Sequence, residues 1–563
     1  MISSKIKKLR HKFIKFNIDG YVVPKNDMYF SEYSSPDRLK LISNFDGSAG
    51  LAVILRDKNY LFVDGRYTIQ ARSQSGKNFS IVEIHKKLPW KVLRHKIRIG
   101  YNPYCFTSLS LKRYFKNHFV LVPIYNDLII KSAKGKINKK FFLLENDITG
   151  ENSKSKINKV LKFLHNDKSD CLFVTAPENV AWLLNLRGKD SPNSPIPNCR
   201  LILKKNGKMY LFANKSKIHN LFSKNSLKKI KIIDENRINI FLTELSSKKI
   251  ILDRLSCCLA FEEIIKNKIN VSGRNDPIYD LKTIKNKIEI KNFIKSHILD
   301  GVAVIKFLYW INNLKKNISE LNAEKKLNFF RKKSKNYLYP SFNTIAASGS
   351  NGAIIHYRAN KKSNKLIKKN DIFLFDSGGQ YKYGTTDITR TISLGKQSNR
   401  IKNIFSYVLK GHIAVVNANL NKFASAHLLD ALARKFLKKN GLDYAHGTGH
   451  GVGYFLNVHE GPIAISKNYK IMLKPGHVIS NEPGFYLKGR FGIRLENMIY
   501  VEKLKNEICF KNLTMVPFDK KLINFKILTK KEKDYLINYN LKIYSNVEKY
   551  LNYQEKFWLL SQF

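Results

Sequence analysis

The sequence predicts an α/β (α+β) protein in which two tandem α/β domains precede a larger mixed domain with a C-terminal extension. Three observations carry this. Residues 1–135 and 155–278 both alternate short apolar runs with turn residues and helical stretches. At Thr283 the apolar spacing changes to a helical period. From there to about residue 510, strand-like runs are separated by glycine-rich turns. The expected domains are 1–135, 155–278, 279–510 and an extension at 511–563.

The strands of the first domain are read at Gly20–Pro24, Gly50–Leu55 and Tyr60–Asp64. A polar stretch, Lys134 to Lys154, reads as a linker. The second domain repeats the style at Asp170–Val174, Leu201–Leu203 and Lys249–Leu252, with no clean sequence repeat between the two. Ile284, Ile288, Phe293, Ile294, Ile298, Val302 and Val304 then mark a long amphipathic helix opening the third domain. In the tail, Thr529-Lys-Lys-Glu532 has capping-box spacing ahead of a helix bearing Tyr535, Leu536 and Ile537. That tail reads as scaffold or interface.

Composition narrows the classes. A chain of 563 residues, 43% apolar and 12% aromatic, has material for a large core and is not disordered as a whole. No run approaches 18 uninterrupted apolar residues, so no membrane-spanning helix is expected. The net charge of +58 would ordinarily suggest nucleic acid or an anionic surface. Lys supplies 81 of the 101 basic residues and is spread along the whole chain. That is a solvated surface composition rather than a base-reading face. Six cysteines show no CxxC spacing, which fits a reducing compartment and no disulfide framework. The N-terminus, MISSKIKKLRHKF, lacks the apolar core of a secretory signal.

The chemistry concentrates in the third domain. There is no GxxxxGK, HExxH or GxSxG motif. Instead, the apolar run Ile372–Phe375 leads into Asp376, and Asp387 opens a second strand eleven residues on, a hairpin distance. Two like charges in apolar surroundings call for a cation. The alternating glycines of Gly447–Gly453 suggest a backbone approached closely by a neighbour. His446, His450, His459-Glu460-Gly-Pro, Asn481-Glu482 and Arg494-Leu-Glu496 follow. Two Asp, two Glu and one His form a mostly hard-oxygen set suited to two divalent ions. Such a pair can activate a hydroxide for hydrolysis.

The Asp, Asp, His, Glu, Glu series resembles the dinuclear "pita-bread" metallopeptidases: methionine aminopeptidase, prolidase and aminopeptidase P. Longer phrases look like the long, three-domain aminopeptidase P. They are Asn351-Gly-Ala-Ile-Ile-His-Tyr357, Asp376 through Thr391, His446 through Gly453, and Leu456 through Pro462. Asn44–Gly50, Asp64–Tyr67 and Leu513–Phe518 extend the resemblance over almost the whole chain. It implies two creatinase-N-like domains ahead of a pita-bread catalytic domain. It aligns the family's first helix from Lys5, leaving too few residues upstream for a transit peptide.

The resemblance also implies roles. Asp376 binds one metal, His450 with Glu482 binds the other, and Asp387 and Glu496 bridge them. His356, His446 and His459 act at the cleft on the substrate or the tetrahedral intermediate. Arg66, Tyr486 and Arg494 contact the peptide, Arg66 in its own or a neighbouring subunit. Two manganese ions per subunit and a homodimer in the cytoplasm are implied as well. Gly379 departs from the family's usual Ala, and Arg358-Ala-Asn360 from its usual loop. The implied reaction releases an N-terminal residue that precedes proline, through a metal-bridged hydroxide. An Xaa-Pro bond has no N–H, so it needs a dedicated pocket. Prolidase, methionine aminopeptidase and a ligand-free binding module are the alternatives. The preceding domains, the tail and the full ligand set speak against them. No specific nucleic acid and no membrane partner is expected. The charge also thins around the expected ligands: residues 371–395 hold two Lys/Arg against three Asp/Glu, and residues 441–500 hold six against four.

Overall fold

The computed structural model describes residues 2–33, 36–130, 139–218, 221–222 and 230–563. The chain forms two compact units, Met1–Tyr279 and Asp280–Phe563.

The first unit contains the same sheet twice. In the first copy the strand order is Ser80–Glu83, Asn59–Val63, Leu51–Leu55, Gly20–Pro24, Arg98–Tyr101, Val120–Pro123. In the second it is Ile230–Ile233, Met209–Ala213, Cys199–Lys204, Cys171–Val174, Lys249–Leu252, Asn270–Ser272. Each copy pairs the three strands that come first along the chain antiparallel and adds the other three parallel. The repeat that sequence comparison does not reveal is therefore one of topology. Pairing order needs only apolar strands and turns in the right succession, so it survives loss of sequence identity. The helix Ile2–Lys15 closes one face of the first sheet with Ile6, Leu9 and Phe13, one stripe at helical spacing.

The expected linker begins outside the described residues. From residue 139 the chain already belongs to the second sheet's surroundings. Phe142–Leu143 pairs with Leu186–Arg187, and helix Ser153–Asn166 starts behind an Asn152 cap. Polarity there reflects an exposed edge, not a tether.

The second unit opens with helix Lys287–Asn312. It starts later than the apolar period suggests. Asn286 and Glu289 form a reciprocal capping box that fixes its first turn. Ile284 and Ile288 stay 41% and 37% exposed, and Ile284 instead bridges to His477. The three-stranded sheet Ile345–Ser348, Ile372–Ser377, Ile388–Ser393 and the sheet Val478–Asn481, Asn497–Leu504, Glu507–Asn512 carry the chemistry-bearing segments. Helices Asn399–Val416 and Ala426–Lys438 pack beside them, so closely at Gly411 that an added Cβ would lie 2.1 Å from the Ala433 carbonyl. The tail joins this core: Met515, Phe518, Leu536, Tyr539 and Ile543 share one cluster with Phe405, Leu409 and Ile493. Thr529 and Glu532 form the expected capping box at the head of helix Lys530–Val547.

Candidate metal centre

Asp376 is the penultimate residue of the strand Ile372–Ser377 and lies opposite Thr389 in the antiparallel ladder. Asp387 lies two residues before Thr389, so strand alternation puts it on the same face. The turn between them closes tightly. A Cβ on Gly378 would sit 1.9 Å from the Thr386 carbonyl. At Gly379 it would sit 2.8 Å from the rings of both Tyr337 and Tyr381. Glycine at 379 therefore goes with this pair of tyrosines.

His450 stands on the short strand Gly449–His450. The flanking glycines let that strand run against its neighbours: Cβ atoms on Gly449 and Gly451 would lie 1.9 Å from Ser480 O and 2.4 Å from Glu460 O. The close approach read from the alternating glycines is present. Nδ1 of His450 faces the Gly451 carbonyl at 3.0 Å, which leaves Nε2 as the outward-facing nitrogen. Nε2 lies 3.5 Å from Asp387 Oδ2 and 3.6 Å from Glu482 Oε1. Asp387, His450 and Glu496 each offer a donor atom within 4.8 Å of the others.

Second-layer contacts fix these side chains. Thr389 Oγ1 donates to Glu496 Oε2 at 2.7 Å, and Ser480 Oγ donates to Glu482 Oε1 at 3.2 Å. Arg494 Nη2 donates to Asp376 Oδ2 at 2.7 Å, Nη1 to the Tyr486 hydroxyl at 2.7 Å, and Nε to Thr389 Oγ1 at 3.1 Å. Tyr486 in turn lies 2.9 Å from His446 Nε2. Arg494 is 2% exposed, so it faces the carboxylates rather than solvent.

The electrostatics are those of a cation site. Burial pushes the Asp387 carboxyl up to about 6 and raises Glu496 well above the usual carboxylate range, and the charges of neighbouring carboxylates add to both. Burial opposes a charge on His450, but the Asp387 hydrogen bond and the Glu482 charge outweigh it and lift the imidazole to about 9. Among the described residues, Asp376 Oδ1 and Asp387 Oδ1 are buried without a hydrogen-bond partner. Such orphaned oxygens are costly, about 1–3 kcal/mol each or more when charged. A divalent cation among them satisfies both, so the residues fit a bound metal.

The remaining expected site residues distribute as follows. The His459 ring is exposed and packs 4.3 Å from that of His450. His356 is half-buried in the turn after Gly349–Ala353, and Arg494 Nη1 lies 3.4 Å from the carbonyl of its neighbour Ile355. Arg66 lies in the first unit, where Asp64 holds its guanidinium through Nε at 3.0 Å and Nη2 at 2.7 Å. Three supports were not anticipated from the sequence. Thr389 carried a signal, being two residues from Asp387 on one strand. Ser480 carried none. Glu460 is buried between Lys285 Nζ at 2.5 Å and Lys282 Nζ at 3.2 Å, and it anchors the turn that holds His459.

Comparison with known proteins agrees along the chain. Residues 5–126 and 134–289 each match the creatinase/prolidase N-terminal domain. Residues 291–503 match metallopeptidase family M24, and 507–562 match the C-terminal region of that peptidase family. A Laccaria bicolor protein named a probable Xaa-Pro aminopeptidase P is 34% identical, covering 97% of this chain and 90% of its own length. The X-prolyl aminopeptidase of Caenorhabditis elegans, described as a cytosolic enzyme with a di-nuclear active site, matches with a TM-score of 0.91 at 28% identity. That match covers 100% of this chain and 99% of the other. A prolidase from Pyrococcus horikoshii matches with a TM-score of 0.55 at 26% identity, covering 65% of this chain and 99% of its own.

Proposed function

Because this chain belongs to metallopeptidase family M24, we propose that it is a metal-dependent Xaa-Pro aminopeptidase, releasing the first residue of peptides whose second residue is proline. One observation carries the reading: Asp387, His450 and Glu496, from three separate segments, converge within 4.8 Å in a setting where buried carboxylate oxygens lack partners among the described residues. The whole-length match to an X-prolyl aminopeptidase, against the partial match to a prolidase, favours longer peptides over dipeptides.

Asp376, Asp387, His450, Glu482 and Glu496 would hold two divalent cations. We take the metal to be manganese, as the resemblance implies; the ligand set itself also admits cobalt, zinc or iron. When bound, the cations supply Lewis-acid polarisation of the scissile carbonyl and a water of lowered pKa.

The chain's own residues do the rest. The Gly451 carbonyl fixes the His450 tautomer, and Thr389 and Ser480 orient Glu496 and Glu482. Arg494 is a positioning residue: it holds Asp376 and, through Tyr486, sets His446. His356, His446 and His459 hydrogen-bond the peptide and the developing oxyanion. The departing proline nitrogen needs a proton, which Glu482 or the exposed His459, packed against the His450 ring, delivers. In the first unit, Asp64 holds the Arg66 guanidinium two-pronged.

A cytoplasmic homodimer is part of the proposal. The cysteines are all free, and no described helix is long and apolar enough to cross a membrane. Tyr553, Phe557, Ile537 and Leu541 leave apolar surface exposed on the C-terminal helices. The test is cleavage of an Xaa-Pro peptide series by manganese-loaded protein, read by mass spectrometry. Release of the first residue, lost on chelation and restored by metal, is expected. No cleavage of any Xaa-Pro peptide by protein of verified metal content overturns the reading.

A further inference from the structure

The segment directly after His356 has a composition the metal centre does not explain. From Arg358 to Lys369, six of twelve residues are Lys or Arg and none is acidic, against 101 basic residues in 563 for the chain. Arg358, Lys361, Lys362, Lys365, Lys368 and Lys369 are all exposed. The side chains of Arg358, Lys361, Lys362, Lys368 and Lys369 form no ion pair within 4 Å among the described residues. The segment is nevertheless held firmly from below. The hydroxyl of Tyr357, 4% exposed, lies 2.7 Å from Ser363 O and 2.8 Å from Glu320 Oε2. Fully buried Glu320 also accepts from Asn351 Nδ2 at 2.9 Å and from the Lys365 backbone N–H at 2.9 Å. A buried carboxylate that accepts this many bonds presents the loop in one shape.

Its place follows from the chain. Ile355 O lies 3.4 Å from Arg494 Nη1, and Arg494 grips Asp376. Arg358 is three residues further, within about 11 Å of Ile355 along the backbone. An aminopeptidase must seat the free amine end inside the site, so the rest of the peptide leaves past the surface beside it. We infer that Arg358–Lys369 is a basic rim that selects peptides carrying acidic residues beyond the proline. This rests on the peptidase reading above. Each exposed pair of opposite charges about 10 Å apart shifts binding on the order of twofold in water, and several act together.

The experiment uses the full manganese-loaded chain and matched hexapeptides, Arg-Pro-Pro-Gly followed by Asp-Asp, Ser-Ser or Lys-Lys. At low salt the Asp-Asp peptide should exceed the Lys-Lys peptide in kcat/KM by about tenfold, mostly in KM, and the ratio should shrink by about 0.15 M salt. The combined change Arg358→Ala, Lys361→Ala, Lys362→Ala should bring the ratio near one. The control Lys530→Ala, Lys531→Ala, Lys533→Ala, on the C-terminal helix, should keep it. Equal kcat/KM for all three peptides, with the Ser-Ser peptide cleaved, overturns the rim and leaves the peptidase standing. A ratio lost equally in the control also overturns it, because the overall charge would then be responsible. Failure to cleave any of the three overturns the peptidase reading and the rim with it.

Discussion

Cys171–Val174, in the middle of the second sheet, and Ile388–Ser393, behind the carboxylates, are both buried at every position. The first reads Cys-Leu-Phe-Val and the second Ile-Thr-Arg-Thr-Ile-Ser. In the first strand Cys171 and Phe173 enter one apolar cluster, and Leu172 and Val174 are fully buried without a polar group to satisfy. In the second each polar group has an assigned partner. Thr389 holds Glu496, and Thr391 Oγ1 donates to Arg494 O at 3.0 Å. Arg390, 0% exposed, reaches Pro517 O at 3.0 Å, Val516 O at 2.7 Å and Asn497 Oδ1 at 2.7 Å. A buried cation without such partners is not tolerated. The tail residues 516 and 517 are among those partners, which gives the extension its scaffold role. One strand is buried to hold the fold together; the other is buried to hold carboxylates where a cation belongs.

The contrast breaks most sharply at the carboxylates. Asp387→Ala should lower kcat/KM on an Xaa-Pro peptide at least about a thousandfold and weaken divalent binding, with circular dichroism unchanged. Wild-type-like turnover in a variant of checked metal content would sink the ligand assignment. On the apolar strand the outcome reverses. Leu172→Ala should cost about 2–5 kcal/mol in urea unfolding of the Met1–Tyr279 unit, while the folded fraction keeps its kcat. A loss of kcat there beyond the folded fraction would erase the distinction between the strands.

Sequence reading reached these two regions unequally. Carboxylates inside apolar or glycine-rich runs stand out locally, which is why Asp387, His450 and Glu496 were visible before the fold gathered them. The apolar strands were visible for the same reason. Their pairing was not, because strand order is set by contacts between segments far apart and leaves no local pattern. The capping box at Thr529 was legible, while the one at Asn286 was masked by the apolar residues ahead of it. Nothing local marks Lys282 and Lys285 as partners of Glu460; only burial reveals the three as a triad.

Acid should expose the same asymmetry between the units. In Asp280–Phe563, burial holds His297, His412 and His477 down to about 4, 3 and 4, from 6.5. Both ring nitrogens of His412 lack partners among the described residues. A histidine whose folded pKa lies below its unfolded value contributes full stability above about pH 6.5 and loses it as pH falls toward the folded value. At pH 5 each should cost about 2 kcal/mol. Hydrogen exchange between pH 7.5 and 5 should therefore show the Asp280–Phe563 unit opening first, and His412→Phe should flatten its profile. Equal acid sensitivity of the two units would remove the contrast.

The smallest effect separates polar groups that act from polar groups that only fold. Thr529 and Glu532 satisfy the first turn of helix Lys530–Val547 reciprocally, and Glu532 also receives Lys410 Nζ at 2.5 Å. Removing one cap, Thr529→Ala, should cost about 1 kcal/mol, read as a lower denaturant midpoint at unchanged m-value, with kcat/KM unaltered. The helix N-terminus is exposed, so water can replace the lost acceptor. Nothing replaces Thr389 behind Glu496, where the donor and the carboxylate it serves are both buried. If Thr529→Ala altered turnover as well as stability, the tail would reach the chemistry through Val516, Pro517 and Arg390, and the polar strand could no longer be treated apart from the scaffold that surrounds it.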